Sequence, residues 1–469
     1  MNTPKTSKLR RVAWPLVGAL AALLLLALLV AGNAVATSAG AGTFNTLPNA
    51  ASRWRAEAAE QRGAVQAGPA AAYSTALTWH IEFVDAPSRF RDMTDRSLRL
   101  DAAGHPHIAY GENHLYYAWH DGTAWHIQMV DSATFVGRYA SLALDSAGNP
   151  HISYYDETNK DLKYASYDGS SWHIQTVDAA EDVGAYTSLR LDGSGHPHIS
   201  YYDNTNYDLK YAHYDGLAWY TETVDSAGSV GEYTSLALDG AGHPHISYYD
   251  YTHVDLKYAS FNGASWDIQT VDAAGSVGWY TSLALDGAGH PHISYYDITN
   301  HDLKYAYHDG SAWRIQTVDS AGDVGWYTSL ALDAAGHPHI SYFDWTNRDL
   351  KYAHWTGSGW DIQTVDSAGD VGRDTSLALD ASGRPHISYL DSTNKDLKYA
   401  FYDGSGWQIQ TVDSAGEVGE HNSLALDASG QPHISYCDGT FGDAGNLKYA
   451  WGEVIALRFI YLPLVLRSR

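Results

Sequence analysis

A unit of 47 residues recurs along most of the chain, and nothing else in the sequence restricts the fold so strongly. SLxLD begins at Ser97, Ser141, Ser188, Ser235, Ser282, Ser329, Ser376 and Ser423. After a first step of 44 residues, the histidine of a following Pro-His-Ile module returns at 151, 198, 245, 292, 339, 386 and 433 with constant spacing. A period of this size marks a solenoid or a propeller, in which each copy buries its apolar surface only against its neighbours. Most of the 469 residues are therefore expected to form one array rather than several domains.

Within a copy, apolar residues alternate with period two in four short runs bounded by turn residues, which predicts a four-stranded antiparallel meander. In Ser329 to Thr375 the first run is SLALD, with Leu330 and Leu332 on one face and Ser329 and Ala331 on the other. A large face thus meets a small one when copies stack, and each buried leucine contributes roughly 1.5–3 kcal/mol. Asp333 suits the opening of a type I turn and Gly336 its left-handed exit. A second hairpin spans Asp344 to Asp349, a third uses Gly357-Ser358-Gly359, and the longest connection, Asp366 to Thr375, leads to the next copy. Short meanders joined by longer crossings are the wiring of propeller blades, with SLALD innermost and the Trp360 run outermost.

The two ends of the array are out of step. An outer-strand module, Trp79-His80-Ile81-Glu82-Phe83-Val84-Asp85, precedes every inner strand, while the last copy has three inner strands and no outer one. The Trp79 segment is therefore expected to complete the last blade of an all-β, eight-bladed propeller spanning residues 79–453. In these modules the chain resembles secreted bacterial β-propeller repeat proteins, whose rings close in this manner. It is only loosely similar to sialidase or lectin propellers. The S-x-D-x-G-x-T-W box of sialidases is absent, with only Y-D-G-x-x-W at Tyr402 to Trp407, and Trp-Asp pairs recur only at Trp266-Asp267 and Trp360-Asp361.

The flanks differ in composition. Lys5, Lys8, Arg10 and Arg11 precede an apolar run from Val12 to Ala31 and the triplet Ala34-Val35-Ala36, so residues 1–36 read as an export signal, with an uncleaved membrane anchor as the competing reading. Residues 37–78 are rich in Ala and Gly and read as a linker. Residues 454–469 form an apolar tail whose YLPLVLR stretch resembles tails of some secreted bacterial proteins.

The formal net charge is −25, and residues 1–36 carry cations only, so the remainder is more acidic still. Such a surface disfavours nucleic acid as a partner. Cys437 is the single cysteine, so the chain forms no intramolecular disulfide, and a packed thiol is expected. His337-Pro338-His339 would suit a metal by spacing, but the first His becomes Asn149, Arg384 and Gln431 in other copies. A buried imidazole bonded to a turn carboxylate or backbone explains the second His better, and no metal or cofactor is expected. Catalysis needs an asymmetric cluster, which near-identical blades do not display, so no enzyme is expected.

What varies between copies is the residue after Val-Gly (Arg138, Ala185, Glu232, Trp279, Trp326, Arg373, Glu420) and the second hairpin. Both fall at the same end of the strands. That face is the expected binding surface, with Tyr207, Tyr251, Trp279, Trp326, Trp345 and Arg348 as ligand candidates. An extracellular glycan is the first expectation, since exposed aromatics stack on sugars. A protein-interaction platform at the cell surface is the second, and a glycoside hydrolase a distant third. A monomer is expected, with membrane association only through the N-terminal segment.

Overall fold

The computed structural model describes residues 77–86, 97–439 and 445–454. These form eight four-stranded antiparallel sheets, each a meander of consecutive strands except the last. In the sixth blade the strands run Val324–Leu332, Pro338–Asp344, Asp349–Trp355 and Trp360–Asp366, from the inside outward. The last sheet takes Val418–Leu426, Pro432–Asp438 and Asn446–Val454 from the C-terminal end and Leu77–Asp85 from the N-terminal end. Trp79 pairs with Gly452 and Phe83 with Lys448, so the early Trp module closes the ring as its sequence position required. The export segment, the linker up to residue 76 and the tail beyond residue 454 lie outside the described residues.

The small-against-large stacking also holds. Ala331 of blade six packs into the cluster formed by Leu377 and Ile387 of blade seven and Leu350 and Tyr352 of its own sheet. Ser329 accepts a hydrogen bond from the Leu377 amide at 3.2 Å, so the small face is also a bonded one. The first hairpin closes as expected, with the Gly336 amide donating to the Asp333 carbonyl at 2.9 Å and φ at Gly336 of 82°.

Two side-chain ladders bind each blade to the next. An aspartate at the end of the outer strand reaches the following blade, where Asp319 accepts from the Tyr342 hydroxyl at 2.7 Å and pairs with the Lys351 ammonium. Seven blade junctions carry this Asp–Lys–Tyr arrangement. At the closure, Asp85 takes its role for Tyr110 at 2.8 Å, while Tyr116 stands in the lysine slot. Nearer the rim, the outer-strand tryptophan leans edge-on against a tyrosine of the preceding blade, as Trp360 does on Tyr305 at 5.2 Å, and its indole donates to Gln316 at 2.7 Å. The closing strand obeys the same rule, with Trp79 against Tyr399 at 5.0 Å and bonded to Gln410 at 2.8 Å.

The recurring second histidine is buried between a tyrosine and the turn aspartate. His339 Nδ1 bonds the Tyr352 hydroxyl, and its Nε2 lies 3.8 Å from Asp333. Burial, then the neighbouring His354, lowers the His339 pKa to about 4 against the pull of Asp333, so the ring is neutral at pH 7. The expected turn carboxylate is thus present, and a neighbouring-strand tyrosine that the sequence did not point to is the second partner. Cys437 is buried, and burial raises its thiol to about 12.

Candidate functional site

The inner strand begins earlier than the sequence suggests. Val324-Gly325-Trp326-Tyr327 is not part of a crossing loop but the first half of the strand, interrupted by two register shifts against its partner: Val324 faces Asp344, Trp326 faces Phe343 and Ser329 faces Ser341. Each shift inserts one extra residue, which is a β-bulge. The first bulge residue must be glycine. At Gly325 φ is 107°, and a Cβ would stand 2.9 Å from the Leu303 Cα of the preceding blade. The second is a tyrosine held in the same left-handed region, with φ of 54° at Tyr327.

This second bulge repeats around the ring. Tyr139, Tyr186, Tyr233, Tyr280 and Tyr327 have φ between 54° and 56°, and Asp374 and His421 take the slot in blades seven and eight at 50° and 52°. The slot of the first copy falls at position 95, outside the described residues. A non-glycine residue in this region costs on the order of 1–3 kcal/mol. The fold tolerates that cost at seven successive described positions, and the bulge turns the side chain into the central channel.

Together these residues line a cavity of about 540 Å³, with the Thr and Ser that follow them as its deeper wall. Because they occupy the starting half of the inner strands, the cavity belongs to the face where the sequence varies. Consecutive tyrosine rings lie 4.9, 5.4, 5.8 and 5.1 Å apart, with interplanar angles of 36°, 46°, 47° and 40°. Rings carried by successive blades acquire such angles when they stand parallel to the channel axis, since each copies the last after a turn about that axis. Burial raises the Tyr233 hydroxyl to about 12, helped by Tyr186 and, two blades away, Tyr327. Burial likewise raises Tyr280, with Tyr327, Tyr233 and Asp374 adding to it. The hydroxyls therefore stay protonated at neutral pH.

The arc is broken on one side. Asp374 accepts from the His421 amide at 3.3 Å, and its carbonyl accepts from the Asn422 side chain at 2.8 Å. Five phenols thus look across the mouth at an aspartate, a histidine and an asparagine.

The six sequence candidates lie on this face but in different settings. Trp279 and Trp326 are half-buried behind the arc, Trp326 5.8 Å from Tyr280 and Trp279 6.1 Å from Tyr233, so they prop the tyrosines rather than stand free. Trp326 donates to Asp323 at 2.7 Å and stacks on Trp345 at 5.1 Å. Trp345 is exposed, with the Arg373 guanidinium 5.0 Å and that of Arg348 5.8 Å from its ring, and Asp370 pairs with both arginines. Tyr207 and Tyr251 are the most open, at 54% and 58% exposure, but belong to the second hairpins of blades three and four. The structure thus joins Trp279, Trp326, Trp345 and Arg348 into one patch beside the cavity and leaves Tyr207 apart. Tyr251 reaches the patch through Tyr249, 6.2 Å away, which contacts Trp279 at 5.9 Å. The channel tyrosines were missed by sequence reasoning. Their signal was present in the tyrosine three residues after Val in five copies and its replacement by Asp374 and His421.

Among the described residues no group of three or more His, Cys, Asp or Glu side chains is arranged to hold a metal ion.

The fold and site define a closed eight-bladed β-propeller with a polar-aromatic channel mouth. Neither the known protein-family profiles nor the curated proteins give a match. Among solved structures, the chain is similar to the Dos1 propeller, with a TM-score of 0.51 at 10% identity over 79% of this chain and 96% of that one. An ulvan lyase of polysaccharide lyase family PL25 matches with a TM-score of 0.45 at 12% identity, covering 78% of this chain and 94% of that one. A Hadza microbial sialidase, Hz136, matches with a TM-score of 0.36 at 12% identity, covering 64% and 75%. At these identities the likeness is one of fold.

Proposed function

We propose that this protein is an exported, lectin-like propeller that binds carbohydrate outside the cytoplasm through the face bearing the channel mouth. One observation carries the reading: aromatic side chains and planar polar groups gather on a single face, around a cavity of a size suited to small ligands. Aromatic rings offer the apolar face of a pyranose a surface, and Asp and His side chains match its hydroxyls. The basic start, apolar run and Ala-Val-Ala exit of residues 1–36 support export to the cell surface or medium. The net charge of −25 argues against nucleic acid. Binding without catalysis is part of this reading.

A second reading, a protein-interaction platform, draws on the Trp345–Arg348–Arg373 cluster, because tryptophan and arginine are the side chains most often found at the energetic centre of protein interfaces. A glycan array probed with the exported form separates the two. Retention of sugars with silence toward extracellular proteins supports the lectin. Silence on the array, with a protein retained by a wild-type column and lost from a Trp345→Ala column, replaces it with the platform.

A further inference from the structure

We infer that the channel mouth is a single, end-on site for the neutral terminal residue of a glycan, with Asp374 and His421 reading its hydroxyls, Asn422 holding them in place, and Tyr233, Tyr280 and Tyr327 walling its apolar side. The inference rests on the carbohydrate reading and narrows it. A lectin built on repeated blades would ordinarily carry a copy of its site in each one and bind several ligands per chain. Here, among the described residues, the repeated element is the wall, and the break in it is confined to two adjoining blades.

Three observations support this. The slot that holds tyrosine in blades two to six holds Asp374 and His421 in two adjoining blades, and in the latter the following Thr is also replaced, by Asn422. A mere plug of the channel would be served by tyrosine throughout, since five copies show that the slot accepts it. Second, the replacements sit at the same strained backbone position as the tyrosines, with φ of 50° and 52°, so they project into the same cavity. Third, the changed pair is held in place: the His421 amide donates to the Asp374 carboxylate at 3.3 Å, and the buried Asn422 side chain accepts from Ser388 and donates to the carbonyls of Asp374 at 2.8 Å and Gly419 at 3.1 Å. Such a pair is suited to two neighbouring hydroxyls of one sugar, the Asp374 carboxylate accepting and the His421 imidazole offering one ring nitrogen as donor and the other as acceptor.

The charge at the mouth selects the sugar class. Asp374 lines the cavity and Glu232 adjoins the arc closely enough to raise Tyr186 and Tyr233, within a chain of net charge −25. Of the guanidiniums near the arc, Arg373 is engaged by Asp370 and Arg138 lies over the Tyr139 ring at 5.0 Å, so neither is bonded to Asp374. A uronate or other acidic sugar would meet a carboxylate where it needs a cation, whereas a neutral pyranose meets acceptors and donors.

The test uses titration calorimetry of the exported chain against neutral methyl pyranosides, linear neutral oligosaccharides and the matching uronic acids. Asp374→Tyr installs the residue that five other blades already carry at this backbone position, so the ring should keep its melting temperature. The expected result is one ligand per chain, uronates bound at least about tenfold more weakly, and affinity for the neutral ligand reduced about a hundredfold by Asp374→Tyr. Tyr280→Phe, which keeps the ring and removes one hydroxyl, should weaken binding about tenfold and serves if the first variant misfolds. Several equivalents per chain, or affinities within threefold of wild type in both variants, would overturn the inference while leaving carbohydrate binding on the face intact. No binding of any sugar by the wild type would overturn both.

Discussion

Removing one aspartate from the ladder between blades offers the sharpest test of what holds the ring together. Asp319 has only 4% of its side chain exposed, accepts from the Tyr342 hydroxyl at 2.7 Å and the Ala321 amide at 3.0 Å, and pairs with Lys351, itself 9% exposed. Asp319→Ala leaves a buried ammonium and a buried hydroxyl without their shared acceptor. Breaking a buried pair by deleting one partner costs about 3–5 kcal/mol. The low end applies here, because the second carboxylate of the blade lies near the ammonium, as Asp297 does at 3.7 Å from Lys304. Lys351→Met should cost less, since Asp319 keeps its tyrosine and amide donors. Urea unfolding followed by tryptophan fluorescence on both single variants and the double variant gives the coupling between them, expected at about 1–3 kcal/mol. A coupling within about 0.5 kcal/mol of zero, with Asp319→Ala costing under about 1 kcal/mol, would refute the idea that this ladder couples neighbouring blades.

Acid should weaken the ring in two stages. The buried histidines, lowered to about 4 at His198, His339, His386 and His433, stabilise fully above their unfolded pKa near 6.5, and that stability is lost as pH falls through about 4. The ladder aspartates are opposed by burial but held low overall by lysine, tyrosine and amide bonds, so their contribution is present above about pH 4 and lost below it. Thermal melts from pH 7 to 3 should fall throughout, and a flat profile from 6.5 to 4.5 would contradict the first stage. Deleting the chain up to Phe90 removes the outer strand of blade eight and exposes the Asn446–Val454 edge, so the melting temperature should drop and oligomers appear on size exclusion. Replacing Trp279 and Trp326 together by Ala should lower the melting temperature as well as ligand retention. These rings are half-buried against the channel tyrosines, and a partly buried aromatic contributes about 1–3 kcal/mol.

The repeat made the blade count, strand order and ring closure legible, because each depends on module order, and the Trp79 module could pair with nothing but the strand at Leu447. Turn chemistry was equally local: Asp333 and Gly336 close the hairpin their spacing implied. What escaped was anything set by register. The His339 partner, Tyr352, is thirteen residues away on a paired strand, and period-two reasoning does not say which cross-strand neighbour bonds. The channel tyrosines were hidden by two bulges, each of which shifts alternation by one residue and redirects the side chains that follow. Val-Gly-x-Tyr therefore read as a loop. For the same reason Trp279 and Trp326 looked like free surface, when the bulge beside them lays their rings behind Tyr280 and its neighbours.

The most direct measurement is electron density from crystals soaked in mixed neutral oligosaccharides. The account predicts one sugar in the cavity between Tyr280 and Asp374, its chain leaving by the face that bears Trp345. Density on the opposite face, at the Asp333–Gly336 hairpins, or sugar on the outer strands with the channel mouth empty, would contradict it.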